Sequence, residues 1–131
     1  MPAPASATYS AKAKEEAHKA FRDLIDAGAA AGRLKIRSST DVLLADIPLA
    51  DPCGTVSAVT GVLTFTTTST EDSSADATGT AAYGEFTDST GTVHLSLPTE
   101  AGTAAVSGKL VLNTLSIVSG GPVTLVSATI G

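Results

Sequence analysis

The stretch ATGTAAYGEFTDSTGTVHLSL, Ala77 to Leu97, reads as two strands folded back on each other over the turn Asp88-Ser89-Thr90-Gly91. Ala82, Gly84 and Phe86 share one face of the first strand, and Val93, Leu95 and Leu97 one face of the second. That period of two marks half-buried strands. Asp and Ser start turns by bonding the local backbone, and Gly91 accepts a positive φ at the exit. Nothing in the hairpin belongs to a reactive constellation.

Working outward, the same vocabulary continues on both sides. Leu34 and Ile36 alternate with Lys35 and Arg37, a short strand with a basic outer face. Val42 to Leu49 reads as a second strand, closed by Pro48 and by Asp51-Pro52, since proline suits a strand end or an edge. Further strands are expected at Thr55–Thr60, Val62–Ser69, Val106–Leu112 and Val123–Ile130, with turns at Gly61, Pro98–Gly102 and Gly120-Gly121-Pro122. Ahead of them, AKAKEEAHKAFRDLIDA has helical period, with Ser10 as N-cap and Gly28 just past the end. Its apolar stripe is Ala13, Ala17, Ala20, Phe21, Leu24 and Ile25. Glu15 and Lys19 form an i,i+4 pair of the favourable order, worth about 0.2–0.5 kcal/mol. The expectation is a mainly β chain: an arm over residues 1–9, a helix over 10–28, and an antiparallel β-sandwich or jelly-roll-like domain of about seven or eight short strands over 33–131.

At 131 residues the chain has the size of one domain. Its net charge of −5 argues against nonspecific binding of nucleic acid. The total hides an asymmetry. Lys12, Lys14, Lys19, Arg22, Arg33, Lys35 and Arg37 outnumber the acids in residues 1–40, whereas Lys109 is the one cation after residue 40. These seven cations are the candidate partner-binding residues, able to dock on an acidic neighbour such as the body of another copy. Cys53 is alone, so an intramolecular disulfide is excluded. No run approaches the ~18 apolar residues of a membrane span, and a soluble chain without a membrane partner is expected.

Catalytic, metal and cofactor patterns are missing. There is no Gly-x-Ser-x-Gly elbow, His18 reads as a helix-surface residue, and His94 points away from the core between Val93 and Leu95. No basic residue stands beside Cys53 in sequence to activate it, which leaves a small buried side chain. The acidic loop Glu71 to Asp76 lacks EF-hand spacing, although it could bridge a cation between subunits. Gly108-Lys109 lacks the rest of a phosphate loop, with Thr103 and Leu110 at the other key positions. No cofactor and no catalytic residue is expected. A carbohydrate-binding module would need an aromatic platform. Of Tyr9, Phe21, Phe65, Tyr83 and Phe86, the phenylalanines sit at core-like positions, leaving only two tyrosines.

The order of segments is itself informative: AGAAAGRLKIRSST from Ala27, LLADIPLADPCG from Leu43, GVLTFT from Gly61, ADATGTAAYGEFTDSTGTV from Ala75, and LVLNTLSIVSGGPVTLVSATI from Leu110. In that order the chain resembles small virion structural proteins of tailed bacteriophages. It departs from their pattern at Arg37–Thr40, where a Gly-Thr-x-Pro turn is usual, and at Cys53, where a larger residue is common. The resemblance implies a non-enzymatic β-sandwich carried on the virion in many copies. The first reading is a capsid decoration or cement protein that binds the major capsid protein as a homo-oligomer, a trimer or ring. The second is a neck, collar or tail component.

Overall fold

The protein's structure, a computed structural model, describes residues 10–28, 30–67, 71–72, 75–106 and 108–130. The arm expected over residues 1–9 and part of the acidic loop, residues 73–74, lie outside them. One helix, α1 (Ala11–Asp26), precedes β1 (Arg33–Ser38), β2 (Leu43–Val56), β3 (Leu63–Thr67), β4 (Glu71–Asp72), β5 (Gly79–Thr87), β6 (Val93–Ala101), β7 (Leu110–Leu112), β8 (Ser116–Ile117) and β9 (Val123–Ile130).

The chain is mainly β with one N-terminal helix, as expected, but where a sandwich or jelly-roll-like domain was expected the strands close into a barrel. Pairing runs β1-β2-β3-β9-β7-β6-β5, and β5 returns to β1. Closure turns on β1, whose residues are paired on both sides. Leu34 stands opposite Ile47 of β2 and Phe86 of β5, and Ile36 opposite Ala45 and Gly84. A strand paired on both sides offers no edge, and a sheet whose ends meet must curl shut. Alternation along β1 dictates which face is buried but carries no information about which strands flank it. A second departure is β6–β7, where Thr99 to Ala101 run parallel to Leu110 to Leu112; the other barrel pairs are antiparallel.

Strand limits differ as well. β2 continues past the break expected at Pro48 and contains a cis Asp51–Pro52 peptide. Its first part pairs with β1, while Leu49 and Gly54 to Val56 pair with β3 across a register shift. The expected strand Thr55–Thr60 is therefore the end of β2 and the turn that follows it. β6 likewise runs through Pro98 to Ala101, where a turn was expected. The pairing of the hairpin over residues 77–97 is present, with β5 and β6 paired from Tyr83–Pro98 to Thr87–Val93 and Gly91 at φ +92°. Val93, expected on the buried face, is however exposed beyond a register shift at Phe86/Thr87.

Side chains fill the barrel. Leu34, Ile36, Ile47, Leu49, Leu63, Phe86, Leu110 and Leu112 are fully buried. Phe65 of β3 and Phe86 of β5 stack in the interior with ring centroids 4.1 Å apart and planes 22° from parallel. Such a pair contributes about 0.5–1.5 kcal/mol beyond the area it buries. Gly84 makes room for a neighbour: a Cβ there would run into the Leu110 side chain and stand 3.1 Å from Leu34 Cδ1.

α1 lies across one end of the barrel, from the Gly61 turn between β2 and β3 to the Ser89 turn between β5 and β6. Ser10 caps it as expected, its Oγ accepting from the Ala13 N–H at 3.0 Å. The buried face is not the expected stripe. Ile25 is buried and Phe21 half-buried against the core, but Ala13, Ala17 and Ala20 are exposed and Leu24 is 49% exposed. Glu15 is buried instead. Close backbone approach accounts for this. At Gly61 (φ +74°) a Cβ would lie 2.5 Å from Lys14 Cβ and 2.7 Å from the Ala11 carbonyl oxygen, so the helix rests directly on the turn. The charge of Glu15 is met there by Lys12 at 2.9 Å and Lys19 at 3.8 Å. Polar satisfaction outweighs the modest burial that an alanine stripe offers.

Candidate functional site

The seven candidate partner-binding cations fall into two sets on different parts of the surface. Lys12, Lys14, Lys19 and Arg22 lie on α1, which packs against β2, β3 and β6. Arg33, Lys35 and Arg37 form the outward row of β1, between β2 and β5. Five of the seven meet a carboxylate of their own chain. Lys12 reaches Glu15 and Glu16 at 2.9 and 3.0 Å, Lys19 reaches the same two at 3.8 Å, and Arg22 reaches Asp23 at 3.3 Å. Arg33 donates to Asp46 at 2.6 Å, and Arg37 to Glu85. Lys14 and Lys35 carry no ion pair among the described residues, although Lys35 stands in register opposite both Asp46 and Glu85.

The chain is thus more evenly charged in space than in sequence. The four cations of α1 share their helix with Glu15, Glu16, Asp23 and Asp26, and the β1 row is flanked by acids on both neighbouring strands. The exposed pairs among them hold little of the fold, whereas Glu15 is buried and the Arg37–Glu85 pair is part-buried. What they do is remove free positive charge from the surface. Sequence reasoning missed Asp46 and Glu85 as partners because strand register, not chain distance, brings them there.

Two other groups of polar residues are internally engaged. Asp88 accepts hydrogen bonds from the Thr90 hydroxyl at 2.6 Å, the Thr90 and Thr92 N–H groups at 2.9 and 3.1 Å, and His94 Nε2 at 3.0 Å. His94 is thus half-buried against the turn, where a residue pointing away from the core, solvated or at an interface, was expected. His18, read as a surface residue, is half-buried with Nδ1 in hydrogen-bond contact with the Gly61 carbonyl, to which the ring donates. Tyr83 donates its hydroxyl to Asp41, a turn residue with φ +66°, and Arg37 donates to the Asp41 carbonyl at 3.1 Å. That engages one of the two tyrosines left for a sugar platform; Tyr9 lies outside the described residues.

The Asp88 bonds, the Thr90 hydroxyl foremost and His94 next, hold its carboxyl well below the usual range. The folded value thus lies below the unfolded one of about 3.9. The stability Asp88 contributes is complete above roughly pH 4 and is lost as pH falls through the depressed folded value. Asp88→Asn should flatten the acid limb of the stability curve below about pH 4. Urea titrations of both proteins from neutral pH into that range check this; parallel acid limbs would contradict it.

Cys53, expected to be a small buried side chain, is fully buried. Its N–H donates to Asp26 Oδ1 at 2.9 Å, and its thiol faces the Arg22 carbonyl oxygen at 3.7 Å. Burial first, and the neighbouring Asp26 carboxylate second, push the thiol up to about 12. The thiolate is the nucleophile, so this sulfur is inert. It should resist a disulfide reagent at pH 8 in the native protein and react stoichiometrically in denaturant. Rapid native labelling would contradict the burial.

Among the described residues no three His, Cys, Asp or Glu side chains are grouped to hold a metal ion. A cavity of about 170 Å³ opens between β3 and β9, lined by Thr64 to Thr67 and Leu125 to Ala128. It forms where the β3–β9 ladder ends after Thr64–Thr129. Hydroxyls, backbone and aliphatic groups line it, with no acid, base or nucleophilic thiol. No helix among the described residues is long and apolar enough to cross a membrane. Comparison with protein-family models, with curated proteins and with solved structures gives no match.

Proposed function

We propose that this chain is a non-enzymatic structural protein of a tailed-bacteriophage virion, a decoration or cement protein bound to the head shell as a homo-oligomer. The order of segments from Ala27 to Ile130 motivates the reading. The observation that carries it furthest is the filled barrel: with Phe65 stacked on Phe86 at its centre, any partner has to be met on the outside. Closure also changes how copies would assemble. Each barrel strand has neighbours on both sides, although stretches such as Phe65–Thr67 of β3 and Val93–Pro98 of β6 pair on one side only, so contacts between subunits draw mainly on side-chain surfaces and loop ends. Five of the seven candidate cations are paired within the chain, and among the described residues Lys14 and Lys35 are the two of the seven without an ion pair, with charge to offer the major capsid protein or a second copy.

Quantitative mass spectrometry of purified particles, with heads separated from tails, tests the proposal. Decoration predicts copies comparable to the major capsid protein in the head fraction. A low copy number confined to the neck or tail would favour the connector reading instead. Absence from both fractions would remove the virion assignment.

A further inference from the structure

No further inference is drawn: the strongest candidate, the solvent-facing stripe of Ala13, Ala17, Ala20 and Leu24 along α1, is a face of mostly small residues, and nothing in the structure shows what covers it.

Discussion

Replacing Gly32 with alanine is expected to destabilise the protein by about 3 kcal/mol, at the upper end of what overpacking costs. Gly32 links α1 to β1 and is buried between them and the end of β5. A Cβ there would strike the Thr87 carbonyl oxygen and stand 2.8 Å from Ile25 Cγ2 and 2.9 Å from the Ile25 carbonyl oxygen. Two of those obstacles are backbone, so relief requires moving the helix or the strand. Neither moves cheaply. The Gly32 carbonyl accepts the Leu49 N–H at 3.0 Å, and Ile25 is the one helix side chain fully sunk into the core. Gly102→Ala is the matched control, because its nearest new neighbour, Val111 Cγ1, lies 3.5 Å away at ordinary contact distance. That change should stay within about 0.5 kcal/mol. Urea midpoints at unchanged slope measure both. Similar losses in the two variants would contradict the close docking of α1.

Phe86→Ala should cost about 3–5 kcal/mol, the range for removing a buried aromatic side chain. Phe86 is fully buried and stands on β5 opposite Leu34 of β1, while its ring stacks on Phe65 across the interior. Truncation removes that stack and leaves a cavity bounded by strands that closure holds in place, so little collapse can compensate. The double variant with Phe65→Ala should cost less than the sum of the singles, by about 0.5–1.5 kcal/mol. Strict additivity would mean that the rings do not meet. Since native domains are stable by only about 5–15 kcal/mol, either truncation takes a large share of the total.

These two positions show where sequence reading reaches and where it stops. The hairpin was legible because its signals are local. Asp88 and Gly91 make the turn, and the alternation toward Phe86 and Leu97 selects the buried face. Leu34 and Ile36 were legible for the same reason. The β1–β5 pairing was not, because Leu34 and Phe86 are brought together by register that neither segment encodes alone. The parallel β6–β7 pairing was hidden likewise.

The face of α1 was misread because alanines at helical spacing look like a core stripe. Polar satisfaction at Glu15 and close approach to Gly61 decided the docking instead. That five of the seven candidate cations are paired within the chain was not visible in the sequence. Glu85 lies 48 positions from Arg37 in sequence yet diagonally across the β1–β5 pair from it, within reach of its guanidinium.

The measurement that bears most directly on the barrel is a set of cross-strand proton contacts from β1 by nuclear magnetic resonance. A closed barrel predicts backbone contacts from Lys35 and Ile36 to Asp46 and Ala45 on one side and to Glu85 and Gly84 on the other, with slowly exchanging amides along β1. Contacts to β2 alone, with β1 amides exchanging as an open edge, would contradict closure and restore the two-sheet sandwich.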